Sequence, residues 1–167
     1  METIDTAKPQ LKPSQPGDII CIAGALGDSA APCTEEGEYL AKCKHVHSVT
    51  TIYDDIDPAI KCIMELSGLS AEIRLDNLPF GNDLIQQFDS QLSQLYLHAL
   101  HEGKVHELLA TVQYKHFADF NDKYKKRFGT PLHAIGRIVV GDTTRVNYID
   151  NAFGAMPICT PLEHFCK

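Results

Sequence analysis

Three short stretches of the chain hold residues able to do chemistry. In the first, an apolar run from Ile19 to Ala23 leads into Gly24-Ala25-Leu26-Gly27-Asp28-Ser29. Glycines after a strand let backbone amides come close to a phosphate, so Gly27 and Ser29 are candidate ligand contacts. The stretch has neither the Gly-Lys-Ser/Thr of a Walker loop nor a complete dinucleotide fingerprint. Its Gly-Asp-Ser also lacks the flanks of a nucleophile elbow. The second stretch is Asp54-Asp55-Ile56-Asp57-Pro58. A carboxylate suits magnesium, a hard ion that prefers oxygen, which makes Asp54 a candidate ligand. The same residues suit a helix start, because aspartates cap free amides and proline is tolerated in the first turn. The third stretch carries His45 and His47 beside Lys42 and Lys44. Two imidazoles two residues apart could share a metal, but no third ligand accompanies them. His98, His101 and His106 are scattered and form no catalytic arrangement with a serine and an aspartate.

Elements of ordinary kinds must position these residues. The chain has 167 residues, 44% hydrophobic and 22% charged, which suits one domain with a proper core. Its net charge is −7, and no basic patch stands out, so nucleic acid is not an expected partner. No segment is long and apolar enough to span a membrane, and the N-terminus lacks the apolar core of a signal peptide. The expected location is the cytoplasm. Cys21, Cys33, Cys43, Cys62, Cys159 and Cys166 form no CxxC pair and no zinc spacing, and are expected to be free thiols.

Residues 1–16 carry three prolines among polar residues and are expected to form an extended lead-in or linker; 17–167 are expected to form a single domain. A buried strand is expected over about 18–24 and a short helix around Glu35–Lys42. Ile56, Ile60, Ile63 and Met64 recur at helical spacing up to Gly68. Ala71, Ile73 and Leu75 alternate with charged residues as in a half-buried strand. From Asp83 a long helix is expected, with Leu84, Ile85, Phe88, Leu92, Leu95, Tyr96, Ala99 and Leu100 on one stripe. Leu108–Val112 reads as a strand. Phe117, Phe120, Tyr124 and Phe128 mark another helix, stopped by Gly129 and Pro131. Ala134–Val140 and Arg145–Ile149 read as strands joined in a hairpin around Gly141-Asp142. The fold class is α/β, layered α+β: a mixed sheet covered by helices.

Several phrases then occur in one order. Pro16-Gly17-Asp18-Ile19-Ile20 leads to Gly27-Asp28-Ser29-Ala30-Ala31, and Ser67-Gly68-Leu69-Ser70-Ala71-Glu72-Ile73-Arg74-Leu75-Asp76-Asn77-Leu78-Pro79 follows. Glu107-Leu108-Leu109-Ala110-Thr111-Val112, Phe128-Gly129-Thr130-Pro131, Ile135-Gly136-Arg137-Ile138 and finally His164-Phe165 complete the set. Over about 18–165 the chain resembles the C-terminal half of thiamine-monophosphate kinase, of the aminoimidazole-ribonucleotide-synthetase-like superfamily. The resemblance implies a two-domain enzyme whose N-terminal half dimerises and holds most magnesium and ATP ligands. Its α/β C-terminal half covers the site. The implied reaction moves the γ-phosphoryl group of ATP to thiamine monophosphate, giving thiamine diphosphate, and relies on positioning and on metal ions.

The departures from that pattern bear on activity. Where the family has Asp-x-Ser-Asp-Gly-Leu, this chain has Thr51-Ile52-Tyr53-Asp54-Asp55-Ile56, so only Asp54 keeps a metal ligand. Where the family has Gly-Gly-Glu-Asp-Tyr-Glu-Leu, this chain has Glu102-Gly103-Lys104-Val105-His106-Glu107-Leu108. Lys104 thus replaces an acidic substrate contact, and reads as a phosphate-facing charge or a solvated turn residue. The terminal Gly-Tyr-Asp-His-Phe becomes Pro161-Leu162-Glu163-His164-Phe165, with Leu162 in the aromatic position. The resemblance therefore implies a partly degenerate domain, inactive alone, that takes thiamine monophosphate or another small phosphorylated ligand. Magnesium and ATP are implied by the family only. An N-terminal-half partner or a homodimer is the implied assembly. The alternative is a non-catalytic ligand-binding or regulatory module on the same fold.

Overall fold

The computed structural model describes residues 10–24, 34–52, 56–87, 91, 94–96, 107–141, 145–149 and 157–158. In chain order its strands are β1 Gln10–Leu11, β2 Ile19–Ala23, β3 Val46–Ile52, β4 Ser70–Arg74, β5 Glu107–Val112, β6 Leu132–Val139, β7 Val146–Ile149 and β8 Pro157–Ile158. The helices are α1 Thr34–Lys42, α2 Ile56–Ser67, α3 Asn82–Gln87 and α4 Tyr114–Phe128. The strands make one eight-stranded sheet in the order β1-β3-β5-β2-β6-β4-β7-β8. Neighbours are antiparallel except β4 and β7, which run parallel. The expected mixed sheet covered by helices is the observed architecture.

Alternation along the strands separates two cores. On β2, Ile20 and Ile22 face one cluster while Cys21 and Ala23 face the other. The first cluster lies under α2, whose Ile56, Ile60, Ile63 and Met64 are all buried, as their spacing predicts. Each such side chain contributes roughly 1.5–3 kcal/mol relative to exposure. Gly68 ends α2 with φ +69°, and its amide donates to Met64 O at 2.8 Å. The second cluster collects Leu40 of α1 and Phe120 and Tyr124 of α4 over β3, β5 and β2. α4 stops where its glycine predicts: Gly129 is left-handed, with φ +83°, and donates to Lys125 O at 2.8 Å. Asn121 then ties α4 to β6, accepting from Leu132 N at 2.7 Å and donating to Leu132 O at 3.2 Å.

Four features differ from expectation or were not foreseen. β6 and β7 are not a hairpin: β4 lies between them, antiparallel to β6 and parallel to β7. β4 can take that central place because Ala71 and Ile73 point into the core and a glycine on β6 admits its backbone. β3 carries no clear strand signal in the sequence, because Ser48 and Thr50 interrupt its apolar pattern, yet both are buried. There Ser48 N and Ser14 Oγ meet Thr111 Oγ1 at 3.1 and 3.0 Å, so the polar atoms satisfy one another. Gln10–Leu11, within the expected lead-in, pairs with Val49 and Ser48 of β3. The helix expected from Asp83 is described as α3 and a turn at 94–96; the rest of it lies outside the described residues. Leu95 and Tyr96 are buried as the stripe requires, but Ile85 is 48% exposed, because α3 is a short surface segment whose described side chains all face solvent.

No described helix is long and apolar enough to cross a membrane. Cys21, Cys43 and Cys62 are free. Burial pushes the Cys21 thiol up to about 12, which keeps it protonated and unreactive.

Candidate functional site

The topology brings the first two chemical stretches and the flank of Lys104 to one end of the sheet. β2 ends at Ala23, paired with Leu108 at the start of β5. β3 ends at Ile52, paired with Glu107. Gly24, Ile52 and Glu107 are therefore neighbours at the rim where the glycine turn, the aspartate pair and the Lys104 segment each adjoin the sheet. α2 begins at the same rim with Ile56 and Asp57. Asp54, Asp55, Gly27, Ser29, Lys104 and Leu162 lie outside the described residues.

Two residues give this rim its shape. Gly24 has φ +97°, a conformation that side-chain-bearing residues rarely adopt. A Cβ there would stand 3.2 Å from Glu107 Cγ. Glu107 itself is fully buried. The family motif draws attention to Lys104 rather than to Glu107; the signal for Glu107 in the sequence is its place directly before the apolar run Leu108-Leu109-Ala110 of β5. Gly24→Ala is expected to cost about 1–2 kcal/mol through backbone strain and to push against Glu107. Urea denaturation checks the cost, and an unchanged midpoint would mean the turn relaxes freely.

Asp57 is a structural carboxylate at this end. It is buried, accepts a hydrogen bond from the Tyr148 hydroxyl and pairs with Lys61 Nζ at 2.7 Å, one helical turn on. Burial and the Asp57 charge hold the Tyr148 phenol well above its ordinary value. His133, on β6 opposite Ile22, is held below the usual imidazole range by partial burial.

The two histidines of the third stretch do not come together. His47 Nδ1 lies 2.5 Å from Asp18 Oδ2 in a nearly buried pair. His45 Nδ1 meets Gln113 Oε1 at 3.2 Å, and its ring stacks on His116 with centroids 3.7 Å apart. The bulge between Val46 and Ser48 breaks the strand's alternation where the two histidines separate. Among the described residues no group of three or more His, Cys, Asp or Glu side chains is placed to hold a metal ion.

The sheet order and the helix placement define an α/β domain found in solved structures of larger proteins. Thiamine-monophosphate kinase from Stenotrophomonas maltophilia K279a superposes with a TM-score of 0.69 at 21% identity, covering 81% of this chain and 51% of that one. AaThiL complexed with AMPPCP and TMP gives 0.60 at 18% identity, over 81% and 49%. HypE from E. coli gives 0.68 at 16% identity, over 92% and 54%. The chain thus spans about half the length of these structures, which fits the C-terminal-domain resemblance read from its sequence. No family model and no curated protein matches the sequence.

Proposed function

We propose that this chain is a thiamine-monophosphate-kinase-like C-terminal domain, spanning 17–167 after an extended lead-in, that binds a small phosphorylated ligand at the Gly24–Ile52–Glu107 rim. Thiamine monophosphate is the first candidate ligand. The observation that carries the reading is the convergence of the glycine turn, the aspartate stretch and the Glu107 segment on one sheet end, in a fold shared with a structure holding AMPPCP and TMP. The domain works in the cytoplasm, with an N-terminal-half partner or as a homodimer supplying what it lacks.

Asp54 is the one carboxylate of the aspartate motif that the chain retains, and the described residues hold no ligand cluster. The described residues alone do not make up a complete magnesium site. Phosphoryl transfer depends on metal neutralisation of developing charge. The purified chain is accordingly expected to show no turnover with ATP, magnesium and thiamine monophosphate; robust thiamine diphosphate formation would contradict this. The replaced motif residues Thr51 and Lys104 favour the second reading, a non-catalytic binding or regulatory module. Addition of a separately expressed N-terminal half distinguishes the two: restored turnover supports the kinase half, and binding without turnover supports the module.

A further inference from the structure

The segment leading into β2 is fastened to the sheet by polar groups, at the end opposite the rim. Ser14 and Asp18 are the buried residues of 12–18, and both are polar; Lys12, Pro13, Gln15, Pro16 and Gly17 are exposed. Lys12 N donates to His47 O and Ser48 Oγ donates to Lys12 O, each at 2.8 Å. Ser14 Oγ meets Thr111 Oγ1 of β5 at 3.0 Å. Gly17 N donates to Ile138 O of β6 at 2.8 Å. Three strands thus hold the segment, yet lifting it off would bare little apolar surface. Lifting α2 or α4 would open a core.

Asp18 ties these fastenings together. Its Oδ2 accepts from Gln15 N at 2.9 Å and lies 2.5 Å from His47 Nδ1, with the Asp18 and His47 side chains 4% and 11% exposed. A carboxylate this buried needs either its donors or water. With the segment seated it has Gln15 and His47; with the segment lifted it has water. Intermediate positions offer neither, which makes seating all-or-none. The β3 bulge between Val46 and Ser48 takes His47 out of the strand's alternation, where its imidazole meets Asp18. Pro13 and Pro16 limit the conformational entropy that the segment gains on release, which favours its return.

We propose that the segment up to Asp18 is a strap that opens and closes on the sheet as a unit while the domain stays folded, with the Asp18–His47 contact as its latch. Opening draws the two-residue β1 away with it and leaves β3 as the edge of the sheet. The device does not depend on the ligand reading of the rim. Amide hydrogen exchange of the full chain, followed by NMR across low urea concentrations, tests it. The amides of Lys12, Gln15 and Gly17 should share one opening equilibrium with a small urea dependence. Those of Leu109 and Ala110, buried within the sheet, should exchange far more slowly and with the steep urea dependence of global unfolding. His47→Ala should speed all three strap amides by a common factor of roughly ten or more. Steep urea dependence at the strap amides of the unaltered chain would mean that the segment lifts only when the domain unfolds, and would overturn the proposal without any variant. Unequal opening among the three would rule out a unit, and unchanged exchange in His47→Ala would rule out the latch.

Discussion

Gly136→Ala is expected to destabilise the domain by on the order of 4 kcal/mol or more, in the range reserved for core disruption. Gly136 sits on β6 opposite Ile73 of β4 and Ile20 of β2, in the middle of the sheet. A Cβ built there falls 2.0 Å from the carbonyl oxygen of Glu72 and 2.9 Å from Ile73 Cδ1. The first contact is with backbone, so no rotamer change relieves it. β4 would have to move away, taking its pairing with β6 and the burial of Ala71 and Ile73 with it. A domain of ordinary stability, roughly 5–15 kcal/mol, would lose a large part of it. Urea denaturation of the purified variant checks this; a loss below about 1 kcal/mol would mean that β4 and β6 are less closely packed than described.

Tyr148→Phe is the second substitution with a large expected effect, and it leaves a signature in pH. Tyr148 is fully buried and donates to the buried carboxylate of Asp57. Losing a hydrogen bond to a charged group costs about 1.5–3 kcal/mol, here moderated because Lys61 still pairs with Asp57. The folded phenol holds its proton well above the ordinary value of 10.0. The unfolded phenol releases its proton near that value, so above it the unfolded state binds fewer protons than the folded one. Stability from this group is therefore fully present below about pH 10 and declines as pH rises past it, by up to about 1.4 kcal/mol per unit. The wild type should lose stability between pH 10 and 11 more steeply than Tyr148→Phe. Parallel curves for the two proteins would place the alkaline loss elsewhere.

Much of the architecture was legible because local and global signals agreed. The Ile56–Met64 stripe, bounded by Pro58 and Gly68, gave α2 to within a residue or two of its observed range. Phe120, Tyr124 and Gly129 did the same for α4. The failures have distinct physical causes. β3 hid behind Ser48 and Thr50; the polar atoms of Ser48 are accommodated by partners distant in sequence, Ser14 and Thr111. The β6–β7 hairpin was wrongly expected because turn chemistry at Gly141-Asp142 reports only on neighbours in sequence. The insertion of β4 depends on Gly136 and on cross-strand pairing, including the Arg137–Glu72 contact at 3.4 Å. At the site, Gly24 was visible as the end of a strand, but nothing in the sequence around it showed that Glu107 would stand beside it. That juxtaposition comes from the β2–β5–β3 register, which no local pattern encodes.

The same register supports the functional reading, since it sets Gly24, Ile52 and Glu107, each next in sequence to one of three separate motifs, at one rim. The most direct measurement is a titration of the full chain with thiamine monophosphate, followed by backbone amide NMR. Saturable shifts centred on Gly24, Ile52 and Glu107, and reduced in Gly24→Ala, are the predicted result. Absence of saturable shifts, or shifts centred away from that rim, would contradict the account.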